Sequence, residues 1–238
     1  MIGSGIFYAG VAVFLAGVLT MFRRRRRIRG FTMAVAGLGI TFLAMVLPVR
    51  DHHATAPVTR LDELMPLWQF EEKHSIRIDA PPERVFEALR SVSASDILFF
   101  RLLTTIRRLG RPAPESILNA PENEPILDVA TRSGFIWLAN EPPRELVLGT
   151  VITAPAGTQG TLVPEVFKEK LSPGFALAAM NFVVRPDGAG SIVTTETRVY
   201  ANNPQSRRAF ARYWRVIYPG SAVIRRMWLR AVAKKVGL

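Results

Sequence analysis

Few residues in this 238-residue chain have the chemistry of a catalytic centre. Cysteine is absent, which excludes a disulfide framework, a thiolate nucleophile and a cysteine metal site. The three histidines are His52, His53 and His74, too few for a histidine-based metal centre or triad, and the sequence calls for no cofactor and no metal. His74 opens a strand-like stretch and could act as a base near neutral pH, although a lone histidine there reads as a surface group. Glu196 and Arg198 lie two apart on a strand and share a face. They could orient the polar head of a ligand or pair with each other, and the pattern favours an exposed charge ladder. The adjacent His52 and His53 fall in a polar stretch and read as solvated linker. No catalytic residue is assigned, and the balance leans away from an enzyme.

The elements that carry these residues fall into two populations. Ile2 to Phe22 holds no charge, and Phe31 to Val49 is a second uncharged run. About 20 apolar residues at 1.5 Å each cross a hydrocarbon core of roughly 30 Å, so both predict transmembrane helices, at about 2–22 and 31–49. Between them lie Arg23, Arg24, Arg25, Arg26, Arg27 and Arg29, a loop at 23–30 short enough for the positive-inside rule. The loop is expected on the cytoplasmic side, at the lipid headgroups. The rest of the chain is then extracytoplasmic, or periplasmic in a bacterial host. A cleavable signal peptide expects its positive charge before the apolar run, and here the charge follows. Small residues at Gly10, Gly17, Ala34, Gly37 and Thr41 could let the helices approach closely, but such residues are common in membrane helices generally.

Net charge is +12, from 31 Lys and Arg against 19 Asp and Glu. Seven of the basic residues and one acid precede residue 60, so half of the excess sits beside the expected membrane. No helix-turn-helix, zinc or RNA-binding signature supports a nucleic-acid partner. Membrane lipids are the expected anionic surface, and oligomeric state is not legible.

Residues 50–67 read as a juxtamembrane linker with one helical turn near Leu61 to Met65. The alternation from His74 to Asp79 predicts a strand. Ala80-Pro81-Pro82-Glu83 then breaks it and starts a helix, with Val85, Phe86 and Leu89 as its buried stripe. A second helix is expected through Ile97, Phe100, Leu103, Ile106 and Leu109, stopping at Gly110. Strands are expected at 135–139, 145–153, 175–185 and 191–201, the last two joined by a glycine-bearing hairpin turn. From Pro204 the chain is helical, with Phe210, Trp214 and Ile217 on one stripe and Ile224, Trp228 and Ala231 on the next. Pro219-Gly220 should kink or interrupt it. This helix carries nine basic residues and no acid, which suggests an anionic surface nearby or ion pairs to acids such as Glu83, Glu87 or Glu165.

Ile76-Arg77-Ile78-Asp79-Ala80-Pro81-Pro82-Glu83-Arg84-Val85-Phe86-Glu87-Ala88-Leu89 resembles the opening of the START-like superfamily, also called SRPBCC or polyketide cyclase/dehydrase-like. The resemblance covers 68–238 and implies an α+β helix-grip fold, a curved antiparallel sheet wrapped around a long C-terminal helix, here preceded by two transmembrane helices. It also implies a cavity of several hundred Å3 that takes an apolar or lipid-like small molecule. Trp137, Met180, Phe182, Phe210 and Trp214 are the expected cavity wall and ligand-binding residues, or else they fill a core. Fold does not decide function. Three readings stay open: a membrane-anchored binding module, a structural or interaction protein with a filled core, and a cyclase- or hydratase-type enzyme. The last needs two polar groups among His74, Glu196 and Arg198 facing one cavity.

Overall fold

The computed structural model describes residues 2–158, 163–167 and 171–237. The chain divides into two compact units. One comprises the residues up to Arg50 together with Arg208–Pro219, and the other comprises Asp51–Arg207 with Gly220–Leu238.

The first unit is built on two apolar helices, α1 (Ile2–Met21) and α2 (Arg27–Val46), joined by a turn of 3-10 helix at Arg24–Arg26. Both are long and apolar enough to cross a membrane. Their seam is made by small residues, which the sequence alone left as mere membrane-helix composition. A Cβ at Gly17 would lie 2.4 Å from the Ala34 nitrogen, and one at Gly37 would lie 2.3 Å from the Phe14 nitrogen. Gly10 faces Thr41 in the same way. Glycine is therefore required at these positions because backbone meets backbone. The Arg208–Pro219 stretch completes the unit. Arg215 donates to the Met45 and Leu47 carbonyls at 2.8 and 2.5 Å, which satisfies acceptors left open at the end of α2. Tyr8 donates to the Val216 carbonyl at 2.6 Å.

The second unit opens with two short strands, β1 (His52–His53) and β2 (Leu67–Trp68), which pair with each other, and a short helix α3 (Arg60–Leu64) between them. Its main sheet has five strands: β3 (Phe70–Ile78), β4 (Ile136–Glu141), β5 (Glu145–Thr153), β6 (Ala176–Asp187) and β7 (Gly190–Ala201). They are antiparallel, in the order β3-β7-β6-β5-β4, with helices packed on them. The glycine turn folds as expected: Asp187 pairs with Gly190, and Gly188 takes the positive φ of 61° that the tight turn needs. Helix α4 (Pro82–Ser91) carries proline in its first turn and buries Val85, Phe86, Ala88 and Leu89. These join Ile78, Phe182, Trp228 and Val232 in the main core.

The remaining elements depart from the sequence reading. The β1-α3-β2 segment is ordered structure where a linker was expected. Thr59 and Asp62 close a capping box on α3, and His52, exposed as expected, stacks on Trp68. Helix α5 covers Phe100–Arg107. Ile97 and Phe100 are buried, but Ile106 and Leu109 are exposed, so the expected stripe is buried only at its start. A further helix, α6 (Ile126–Arg132), forms directly after Pro125, where the sequence reading placed no element. The last helix, α7 (Pro204–Val236), runs unbroken through Pro219.

Candidate functional site

The two faces of the sheet can be read from the strand register. In one row across it, Glu72 of β3 lies opposite Thr197 of β7, Thr197 opposite Met180 of β6, Met180 opposite Leu148 of β5, and Leu148 opposite Trp137 of β4. Side chains alternate along a strand. His74, Thr195, Phe182 and Leu146 therefore form the next row on the same face. The C-terminal turns of α7 pack here, with the Phe182 and Trp228 rings 5.0 Å apart.

This inner face is apolar at its centre and polar at the β3 edge. Glu72 is buried. One carboxylate oxygen lies 3.0 Å from His74 Nε2, and the other accepts from the Ser221 hydroxyl at 2.6 Å. Ser221, Arg225 and Trp228 recur at i, i+4 and i+7 along α7, so one helical stripe brings all three to the sheet. Arg225 Nη2 donates to the Met180 sulfur at 3.0 Å, and its guanidinium carbon lies 5.7 Å from the Trp228 ring centroid. Burial holds the Arg225 pKa below the usual guanidinium value. Glu72 acts to raise it and Arg107 to lower it, which places one carboxylate and a second cation in electrostatic range.

Three polar atoms in this cluster are shielded from solvent and meet no hydrogen-bonding group: Arg225 Nη1, Trp228 Nε1 and Thr197 Oγ1. Among the described residues Arg225 forms no ion pair, because Glu72 is already engaged by His74 and Ser221. An unmet buried donor costs roughly 1–3 kcal/mol, and native proteins carry few of them. Ser221 and His74 both address Glu72, so the histidine does not stand between hydroxyl and carboxylate. The order needed for a serine–histidine–acid relay is not present in this cluster.

The opposite face carries a contrasting network. Glu196 and Arg198 are buried there and paired, not laid out as an exposed ladder. Arg198 donates to Glu196 at 2.5 Å, to Asp62 at 2.6 Å and to the Met65 carbonyl at 3.1 Å. Its guanidinium carbon lies 3.7 Å from the Trp68 ring centroid. Lys73 reaches the other Glu196 oxygen at 2.9 Å. Asn181 links Glu196 to Glu145, which accepts from the Arg60 backbone at the start of α3. Burial pushes the Asp62 pKa up, but the Val58 N–H, the Arg198 guanidinium, and the Thr59 hydroxyl and N–H outweigh it and hold it at about 2. A pocket of about 180 Å3 opens nearby, lined by Arg60, Glu63, Glu141, Arg144, Glu145 and Arg185 among others. It is smaller than the usual ligand pocket of roughly 300 Å3 or more.

The five apolar residues picked from the sequence separate into two groups. Met180 and Phe182 are buried on the inner face, and Trp137 packs half-buried against the same core. Phe210 and Trp214 fall in the other compact unit, where their rings lie 5.7 Å apart. His74 is drawn in beside Glu72 rather than lying at the surface, and it faces away from Glu196 and Arg198. Sequence reasoning missed Glu72, Ser221, Arg225 and Trp228 as a group. The available signal was a serine and an arginine on the periodic stripe that ends in Trp228. On α7 itself, Arg207 pairs with Asp51 and Lys235 with Asp96, and among the described residues the ion pairs of this helix use neither Glu83, Glu87 nor Glu165.

No family model matches the chain, and no curated protein sequence matches it. Among solved structures it is similar to protein MLL2253 from Mesorhizobium loti, at 15% identity and TM-score 0.34, over 71% of this chain and 97% of that one. TTHA0849 from Thermus thermophilus gives 12% identity and TM-score 0.29, over 70% and 97%. CalU16 from Micromonospora echinospora gives 13% and 0.27, over 80% and 93%. Likenesses at this level leave the functional argument to the residues of the chain itself.

Proposed function

We propose that the chain is a membrane-anchored, START-like binding module that takes an apolar or lipid-like small molecule on the inner face of its sheet. The ligand's polar group is met by Arg225, Trp228 and Thr197, and its apolar part by the surface to which Trp137, Met180 and Phe182 belong. One observation carries this reading: three buried polar atoms without partners lie on residues that neighbour one another. Ligand sites commonly pair an apolar lining with a few placed polar groups, and an amphipathic ligand supplies both. The hairpin puts the module where such molecules are stored. With the Arg23–Arg29 loop cytoplasmic, the module is extracytoplasmic.

The test is to purify the full chain from membranes and extract its bound small molecules for mass spectrometry. A stoichiometric amphipathic species, absent from a mock purification, is expected. Extracts with no enrichment over the mock would remove the reading.

A second reading has its own support. Phe182 and Met180 are almost fully buried and Phe182 is packed against Trp228, as in a filled core whose role is structural. It predicts that Arg225→Met changes neither the extracted species nor any partner-free property beyond stability.

A further inference from the structure

Helix α5 has its faces reversed relative to a helix of a water-soluble domain. Phe99, Leu102, Ile106 and Leu109 fall at i, i+3, i+7 and i+10, a single stripe at helical spacing, and all are at least half exposed, from 51% at Phe99 to 79% at Leu109. Leu98 adds to the same surface. The buried side is held by Phe100 and by Thr104, whose hydroxyl donates to the Phe100 carbonyl. A surface helix normally turns its apolar stripe to the core and its polar face to water. Helix α4 does so in the same unit, with Glu83, Glu87 and Arg90 outward.

Both ends of the stripe are set by unusual backbone. Phe99 and Leu109 have φ of 65° and 54°, the two positive values among described residues other than glycine. Bulky side chains rarely adopt that conformation, and here it is spent on holding two large apolar groups in the open. The flanks are basic: Arg101, Arg107, Arg108 and Arg111 lie within the stretch 97–111, which contains no acid. Arg101 pairs with Glu122. A contiguous apolar patch rimmed by cations suits an anionic lipid surface, and the same chain carries two helices able to span a bilayer.

We infer that α5 is a membrane-seated helix, with Phe99, Leu102, Ile106 and Leu109 buried in the headgroup–acyl boundary of a bilayer containing anionic lipid and its arginines at the phosphates. This surface is distinct from the transmembrane hairpin and stands whether or not the inner face holds a ligand.

Because the chain has no cysteine, single labels are clean. Leu102→Cys, Ile106→Cys and, as an aqueous control, Glu87→Cys are each labelled with a nitroxide in the full-length protein. Leu38→Cys on α2 serves as the anchor control. All four are reconstituted into phosphatidylcholine–phosphatidylglycerol vesicles. Collision with oxygen, which partitions into lipid, is compared with collision with a water-soluble nickel chelate. Severalfold preference for oxygen at 102 and 106, with the reverse at 87, is the expected result. Labels at 102 and 106 that behave like 87 overturn the inference. Low collision with both reagents overturns it too, since the stripe is then covered by protein, as a second copy would do. A Leu38 label exposed to the chelate removes the bilayer anchor and the inference with it.

Discussion

Arg198 and Arg225 belong to the same unit, on opposite faces of one sheet, and they differ in company. Arg198 has two carboxylates, a carbonyl and an indole ring, so each of its three nitrogens has an acceptor. Arg225 has a methionine sulfur, a tryptophan at greater distance, and an Nη1 that meets nothing. The same residue type therefore does two jobs. Arg198 locks α3 and the β2 region to the sheet, because Asp62 and Met65 reach it from outside the strands. Arg225 locks nothing comparable and retains capacity for one more acceptor. A buried guanidinium with spare valence marks a place where something from outside the chain can add stability.

The comparison breaks most visibly if Arg198 is removed. Arg198→Met leaves Asp62 without its cation and buried Glu196 with only the exposed Lys73, and breaking one partner of such a network costs about 3–5 kcal/mol. Chemical denaturation of the detergent-solubilised chain should show a loss of that size, and a loss below about 1 kcal/mol would place the network among weak surface pairs.

Acid titration gives the next effect. The folded pKa of Asp62 is about 2, below the 3.8 of the free side chain. A depressed carboxylate stabilises the fold at pH above its unfolded value, and the contribution is lost as pH falls toward the folded value. The fold should therefore hold this contribution, on the order of 2 kcal/mol, at neutral pH and lose it between about pH 4 and pH 2. Asp62→Asn should flatten that part of the stability profile.

Arg225→Met sharpens the contrast from the other side. Exchanging an unpaired buried cation for an apolar group of similar length should change stability by less than about 1 kcal/mol, in either direction. A loss as large as that for Arg198 would give Arg225 a structural role. Smallest of all is Lys73→Ala. Lys73 is more than half exposed against Glu196, so a few tenths of a kcal/mol are expected by the same denaturation assay.

Much of the architecture was legible from the sequence because it rests on uninterrupted patterns. The two uncharged runs became α1 and α2, and the β-branched strands and glycine turn became β6 and β7. Elsewhere a polar residue facing inward hid the signal. Strand β3 begins at Phe70, four residues before the alternation is visible, because Glu72 occupies an inward position that an apolar pattern cannot score. Arg225 was hidden for the same reason on α7. Helix α6 was lost because its seven residues bury Ile126, Leu127, Val129 and Ala130 at once, which leaves no polar face to set a period. His52 and His53 looked like linker because the pairing that orders them lies fourteen and more residues away, at Leu67 and Trp68. The reading of α5 failed in a more informative way. Its periodicity was present, and the stripe faced the wrong solvent for a domain in water.

The most direct test of the account is native mass spectrometry of the full-length chain released from detergent or nanodiscs, wild type beside Arg225→Met. The account predicts a bound small molecule on the wild type, absent from the variant although the two proteins, compared free of ligand, differ in stability by less than about 1 kcal/mol. Both proteins appearing only at their own ligand-free masses would contradict it.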